Sequence, residues 1–209
     1  MNKKLRICIN GLGRIGRHIF KLCSQEKNIK VIGINEINPD VNNWAYTLNY
    51  DSIYGKNKNK VLAKSDKLIF NSEEINTSSF KDINKIPLDN WGIDILIDCT
   101  GVLENIIQSR KLIINKKAKK VLITHSPSEV DFTMILGVNE NLYKNKEHHL
   151  IASSICDATA IAPVTKLIND SLKINNGFVT TLHPWLSYQN LMDGPSSSWS
   201  VLVALEEEL

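Results

Sequence analysis

A strand, a glycine-rich loop and a helix start within the first 23 residues and limit what this chain can fold into. The β-prone run Leu5–Ile9 leads into N-G-L-G-R-I-G at residues 10–16, and a helical pattern then continues through Cys23. In a G-x-G-x-x-G loop the first glycine makes a tight turn, the second lets a pyrophosphate approach the backbone, and the third lets helix and strand pack closely. The phosphates lie at the helix N-terminus, where backbone N–H groups are unpaired. A lone glycine loop also punctuates ordinary turns, so its context matters.

An acidic residue follows the second β-prone run, Lys30–Asn35. This residue, Glu36, lies twenty positions beyond Gly16, where a dinucleotide-binding fold places an acid to accept hydrogen bonds from the adenosine ribose. A carboxylate there repels a 2′-phosphate, so the pattern favours NAD over NADP. The alternative is a solvated glutamate at a strand end.

Further β-prone runs extend a predicted parallel sheet. They are Ile93–Asp98, Lys120–Thr124, a run near Phe132–Leu136, and Leu150–Ala152. Helices are predicted at Asp40–Leu48 and over roughly Leu103–Ile114, a turn at Tyr50–Gly55, and antiparallel hairpins at a sheet edge over residues 56–90. Because ligands bind at the carboxyl ends of the strands in open α/β sheets, Thr100, Gly101 and Thr124 are expected beside the glycine loop.

A single cysteine, Cys156, lies between the strand-like run at residues 150–152 and a helical pattern that reaches Leu172. The positive end of a helix dipole favours the thiolate, the nucleophilic form of cysteine. The competing interpretation is a small buried apolar residue. A β-prone run at Gly177–His183 ends in a histidine, 27 residues after Cys156. The imidazole of His183 could take the proton of the Cys156 thiol if the two side chains are in contact. Spacing alone does not show that contact, and a strand-end histidine is often an ordinary surface or core residue.

Composition excludes several classes of protein. The net charge is only +3 over 209 residues, with both signs interleaved, so neither nucleic acid nor a membrane is expected as a partner. Four cysteines lack CxxC pairs and nearby histidine pairs, which argues against zinc or other metal sites and against a disulfide framework. No span approaches eighteen apolar residues, and a cytoplasmic location is predicted.

Several motifs together resemble the phosphorylating glyceraldehyde-3-phosphate dehydrogenase family. They are I-N-G-L-G-R-I-G-R at 9–17, Y-D-S-I-Y-G at 50–55, C-T-G at 99–101, L-G-V-N at 136–139 and T-T-L-H at 180–183. Their order and spacing match that family to about Pro195, including the interval from Cys156 to His183.

The resemblance implies a fold, a cofactor and residue roles. The fold is α/β, a doubly wound, mostly parallel Rossmann-type sheet over residues 1–152, followed by the start of an α+β catalytic domain over residues 153–209. Cys156 would be the nucleophile and His183 the base in NAD-dependent oxidation of an aldehyde, and the enzyme would be a homo-oligomer, a tetramer in the family. The implied cofactor-binding residues are Asn10, Gly11, Gly13, Arg14, Ile15, Gly16, Glu36, Thr100, Gly101 and Thr124.

Three positions depart from the family pattern around its substrate phosphate. Ile155 and Asp157 flank the cysteine where the family has hydroxyl groups, and Leu186 replaces a threonine. A carboxylate beside the thiol repels phosphate and opposes thiolate formation, although Asp157 is also a good first-turn residue for a helix. The substrate is therefore expected to be an aldehyde, phosphorylated or not, with weak recognition of phosphate.

The sequence after Asp193-Gly194-Pro195 does not follow the family, which continues far beyond this point. The chain is expected to be a fragment of a longer protein or a truncated relative. Two alternatives to an enzyme stay open. One is a non-catalytic NAD-binding or protein-interaction module that has lost the phosphate sites. The other is a folding fragment without function.

Overall fold

The computed structural model describes residues 4–52, 54–125, 129–153 and 156–182. Its strands are β1 (Leu5–Asn10), β2 (Ile29–Asn35), β3 (Tyr50–Asp51), β4 (Gly55–Lys56), β5 (Val61–Lys64), β6 (Lys67–Phe70), β7 (Glu73–Ser78), β8 (Ile95–Asp98), β9 (Lys120–Ile123), β10 (Phe132–Thr133) and β11 (Leu150–Ala152). Its α-helices are α1 (Arg14–Cys23), α2 (Val41–Asn49), α3 (Leu88–Trp91), α4 (Glu104–Ile114) and α5 (Cys156–Leu172), with short 3-10 turns at Ile83–Lys85 and Glu140–Leu142.

Nine of the described strands form one sheet in the order β10-β11-β9-β8-β1-β2-β7-β6-β5. The strands from β10 to β7 run parallel, and β6 and β5 continue antiparallel from β7. The chain builds outward from β1 through β2 and then reverses to β8 on its other side. The predicted Rossmann-type sheet is confirmed, and the carboxyl ends of β1 and β8 meet at the point where strand order reverses, which is where such sheets bind ligands.

The sheet buries both of its faces, as alternating side chains require. Ile7 and Ile9 of β1 pack with Phe20 of α1 and Trp44 of α2 on one face. Cys8, between them in sequence, belongs to the cluster on the other face, which includes residues of α3 and α4. This double coverage explains why the central strands read as continuous apolar runs.

The edge region at residues 56–90 is partly as predicted. Strands β5, β6 and β7 form the expected antiparallel hairpins, but β7 also pairs in parallel with β2. The prediction is wrong for residues 83–90, where a 3-10 turn (Ile83–Lys85) and most of a short helix (Leu88–Trp91) form instead. The Asp82 carboxylate accepts a hydrogen bond from Asn84 N at 2.9 Å and so caps that turn. The predicted strand near Phe132–Leu136 is limited to Phe132–Thr133.

The helix predicted after Cys156 is present as α5, which spans 17 residues. The strand predicted at Gly177–His183 is wrong for its described part, because residues 177–182 have no regular secondary structure and pair with no described strand. Of the described residues, those up to Ser171 form one compact unit, and those from Leu172 to Leu182 belong to a second. Within the described ranges, no helix is both long and apolar enough to cross a membrane.

Candidate cofactor and active site

The glycine loop joins β1 to α1 in a conformation that needs glycine at two of its positions. Gly11 has φ +92°, which other residues rarely adopt. A Cβ on Gly16 would lie 1.8 Å from the carbonyl oxygen of Gly11, so helix and loop approach too closely for any side chain. Gly13 instead borders open space, with nothing within 4 Å of the position a Cβ would take. The loop therefore fits a dinucleotide, because the space over Gly13 is where a pyrophosphate could approach the backbone.

The start of α1 is free to bind an anion. Gly13 occupies its N-cap position, and no side chain in the described part of the chain accepts a hydrogen bond from the first turn. The N–H groups of such an uncapped turn carry the positive end of the helix dipole. Predicted residues Arg14 and Ile15 form this turn and are exposed.

Glu36 follows β2 and is tied to the glycine loop. Its Oε2 accepts a hydrogen bond from Leu12 N at 2.7 Å, and its Oε1 accepts one from Asn38 N at 3.3 Å. These bonds hold a half-buried carboxylate at the mouth of the loop. The alternative of a merely solvated strand-end glutamate does not describe this arrangement.

A cleft of about 780 Å³ runs along the carboxyl edge of the sheet. Five of the predicted cofactor residues line it: Asn10, Gly11, Gly13, Glu36 and Thr100. The other five, Arg14, Ile15, Gly16, Gly101 and Thr124, lie at the same edge but outside its lining. A volume near the upper end of the usual range for ligand pockets suits a large cofactor.

One wall of the cleft is formed by residues that the sequence pattern does not place there. Ser79, Phe80, Lys81 and Asp82 line it, together with Ile37. These residues follow β7, which is parallel to β2 and so ends at the ligand-binding edge. The hairpin pattern of residues 56–90 hid this, because the sequence does not show that the last strand of a meander turns parallel to the main sheet.

The loop after β8 forms the opposite wall of the cleft. Thr100 donates from Oγ1 to Asp98 Oδ1 at 2.9 Å, and Gly101 has φ +72°. Thr124 at the end of β9 donates from Oγ1 to the Asp98 carbonyl oxygen at 3.1 Å. Thr100 and Thr124 are thus both anchored to Asp98, although only Thr100 lines the cleft.

Cys156 is the first residue of α5 and is exposed, with Asp157 half-buried in the same turn. Three predicted residues lie outside the described residues: His183, the proposed base, and Ile155 and Leu186, which are expected near the substrate phosphate. The Cys156–His183 arrangement therefore stays a prediction.

The other three cysteines differ from Cys156 in exposure. Cys8 is buried, and Cys23 and Cys99 are half-buried. Burial raises the pKa of the Cys99 thiol to about 12, with a further rise from the neighbouring Asp98 charge. Burial also raises the pKa of Cys8 and of Cys23. All three are poor sources of a thiolate near neutral pH.

A doubly wound sheet with a glycine loop and an uncapped helix start at its switch point defines a dinucleotide-binding protein. Comparison with known proteins agrees. The family model described as glyceraldehyde 3-phosphate dehydrogenase, NAD binding domain, matches residues 5–106, and the model of the C-terminal domain of the same family matches residues 155–205. The chain belongs to the glyceraldehyde-3-phosphate dehydrogenase family, and its cofactor is NAD.

Curated members of the family are similar over most of this chain. A glyceraldehyde-3-phosphate dehydrogenase of Priestia megaterium is 31% identical over 205 residues, 98% of this chain and 61% of that protein. Glyceraldehyde-3-phosphate dehydrogenase 1 of Kluyveromyces marxianus is 37% identical over 190 residues, 91% of this chain and 56% of its own length. The Thermotoga maritima enzyme is 35% identical, with 91% and 57% covered. The chain thus spans little more than half the length of these relatives.

Proposed function

We propose that this chain takes part in the NAD-dependent oxidation of an aldehyde, with Cys156 as the nucleophile and glyceraldehyde 3-phosphate as the substrate that the names of its relatives suggest. One observation carries the proposal. Cys156 is the exposed cysteine at the start of a helix, within the range matched by the C-terminal domain model, whereas the other three are buried or half-buried.

The proposed chemistry starts at the Cys156 sulfur. His183 takes the thiol proton, the thiolate adds to the aldehyde carbon, and the carbonyl oxygen receives that proton from His183 to give a thiohemiacetal. His183 then removes that proton while hydride leaves the same carbon, and a thioester to Cys156 results. NAD supplies the hydride acceptor. Attack of inorganic phosphate on the thioester carbon releases an acyl phosphate and restores the Cys156 thiolate.

We infer a preference for NAD over NADP from the position of Glu36. Its carboxylate is held on the glycine loop by Leu12 N, so it cannot swing away without losing that bond. A 2′-phosphate on the ribose would approach a fixed negative charge, whereas free ribose hydroxyls would donate to it.

In the proposed cycle, inorganic phosphate is expected to bind poorly beside Cys156. Asp157 places a carboxylate one residue after the nucleophile, in the first turn of α5. A phosphate anion that approaches Cys156 meets a carboxylate on the next residue, and like charges oppose binding. We therefore expect inorganic phosphate to stimulate turnover only weakly.

NADH formation from glyceraldehyde 3-phosphate, followed by NADH absorbance with and without inorganic phosphate, tests the proposal. Slow NADH formation with little phosphate response is the expected result. Strong, saturable phosphate stimulation would show that Asp157 does not impair the site. NAD binding without any NADH formation would instead support a non-catalytic NAD-binding module. The similarity to curated dehydrogenases does not favour that alternative.

We place the boundary between the NAD-binding domain and the start of the catalytic domain at residues 152 and 153, after β11. We also propose a cytoplasmic homo-oligomer, in keeping with the family resemblance. Sedimentation analysis of the purified protein tests the oligomer, with a concentration-independent monomer as the contradicting result.

A further inference from the structure

A continuous chain of hydrogen bonds joins buried polar side chains across the carboxyl edge of β2, β1 and β8. Asn35 donates from Nδ2 to Asn10 Oδ1 at 2.8 Å, and Asn10 donates from Nδ2 to Asp98 Oδ1 at 2.8 Å. All three side chains belong to residues no more than 2% exposed. Buried polar groups of this kind act together, since each fixes the orientation of the next.

The chain of bonds ends on both walls of the cofactor cleft. On one side Asn35 Oδ1 accepts from Phe80 N at 2.9 Å, and Asn35 Nδ2 donates to the Phe80 carbonyl oxygen at 2.8 Å. On the other side Asp98 accepts from Thr100 Oγ1 at 2.9 Å and from Asn105 Nδ2 at 3.3 Å. Phe80, Thr100 and Asn105 all line the cleft, so the network reaches each wall directly.

Asp98 is the one carboxylate in this network, and its side-chain donors Asn10, Thr100 and Asn105 are all uncharged. Burial raises the pKa of Asp98, and the hydrogen bonds from Thr100, Asn105 and Asn10 oppose that rise. Burying a carboxyl group among neutral partners costs stability that an apolar residue would not cost. Such a cost points to a role in function.

We propose that Asp98 is a positioning residue for NAD, which holds Asn10 beside the glycine loop and the Thr100–Asn105 segment as the far wall of the cleft before the cofactor binds. The carboxylate suits this role because it accepts from donors on two different segments at once. A pre-formed cleft binds more tightly, since less ordering accompanies binding. The inference rests on NAD being the cofactor.

Calorimetric titration of the Asp98→Asn variant with NAD and with ADP tests the proposal. The amide keeps an oxygen where Oδ1 accepts from Asn10, Thr100 and Asn105, but it replaces Oδ2, which accepts from Asn105 Nδ2 at 3.3 Å, with a donor that faces that donor. We expect NAD affinity to fall roughly tenfold, the effect of about one net hydrogen bond. ADP affinity should fall by a smaller factor, because ADP occupies the glycine loop and lacks the nicotinamide half.

Asp94→Asn is the matched control, because Asp94 lies just before the same strand at the opposite edge of the sheet. It is buried, and its Oδ2 accepts from Arg6 N at 3.1 Å. Both variants should melt at lower temperatures than the unchanged protein, but Asp94→Asn should leave NAD affinity unchanged. Equal losses of NAD affinity in the two variants would overturn the proposal, since the effect would then be general destabilisation.

A double variant keeps the test decisive if Asp98→Asn folds poorly. Asp98→Asn with Asn105→Asp exchanges donor and acceptor between two residues in contact and should recover most of the NAD affinity. Failure to recover it in a folded protein, or an equal loss of ADP and NAD affinity in Asp98→Asn, would refute the positioning role. Absence of NAD binding by the unchanged protein would remove the cofactor assignment as well.

Discussion

The region from β1 to β11 and helix α5 differ in how their apolar side chains are used. The first supplies every residue of both described core clusters, among them side chains as large as Phe20 and Trp44. None of the residues of α5 is buried, and Val164 and Leu167 are 51% and 68% exposed. Cofactor binding therefore depends on a packed scaffold, whereas the proposed nucleophile lies in a segment that contributes nothing to that core. Binding and chemistry should be separable by mutation.

The largest expected effect tests that separation at Cys156. Cys156→Ala should lower the rate of NADH formation by at least about 10³-fold, because no other group can form the thioester. NAD affinity and melting temperature should not change, since the side chain is exposed. Cys23→Ala is the control and should retain turnover. Loss of turnover in Cys23→Ala, or its survival in Cys156→Ala, would contradict the assignment.

Gly16→Ala should have the largest effect on the scaffold. Its Cβ would lie 1.8 Å from Gly11 O, so helix and loop must move apart, at a cost of about 3 kcal/mol of unfolding free energy. Gly13→Ala is the matched change three residues earlier, with open space around the new Cβ. Chemical denaturation should show a loss for Gly16→Ala only, while calorimetry shows weaker NAD binding for both. An unchanged unfolding free energy for Gly16→Ala would mean that the Gly11 carbonyl oxygen does not lie against Gly16.

Asp131 makes the stability of the scaffold depend on pH. Burial alone would raise the pKa of Asp131, but bonds from Leu150 N, His149 N and Arg110 outweigh it and lower the pKa. Because the folded pKa lies below the unfolded one, this stability is present above the unfolded pKa and is lost as pH falls through the folded pKa.

The variant Asp131→Asn should therefore lose about 1 to 3 kcal/mol of unfolding free energy at pH 7. The gap to the unchanged protein should shrink as the pH falls below the ordinary range for aspartate. Denaturation at a series of pH values measures it. A gap that does not vary with pH would mean that the ionised carboxylate is not what stabilises β10 against β11.

The smallest expected effect concerns cofactor choice. Glu36→Gln keeps the size of the side chain and an acceptor for Leu12 N but removes the charge, so the preference for NAD over NADP should relax by about 1 kcal/mol, or some fivefold. Calorimetry with both cofactors measures the ratio. An unchanged ratio would indicate that a residue other than Glu36 excludes the 2′-phosphate.

The sequence predicts the scaffold better than the site around it. The G-x-G-x-x-G spacing and the apolar runs are local signals, so the loop, β1, β8 and β9 could be recognised directly. The cleft wall at Ser79–Asp82 could not, because the parallel pairing of β7 with β2 is a long-range choice. The Asn35–Asn10–Asp98 network was missed for a similar reason, since its members come from three strands and become neighbours only in the folded sheet. The strand predicted at residues 177–182 does not form because a strand also needs a neighbouring strand, and no described strand pairs with these residues.

One measurement tests the central claim that this NAD-binding scaffold serves a nucleophilic Cys156. The protein is mixed with NAD and glyceraldehyde 3-phosphate without inorganic phosphate, quenched in acid, and mapped by peptide mass spectrometry while NADH is measured in parallel. We predict an acyl adduct on Cys156 whose amount rises with the NADH formed, and none on Cys8, Cys23 or Cys99. NADH formation with Cys156 unmodified, or with the adduct on another cysteine, would contradict the account.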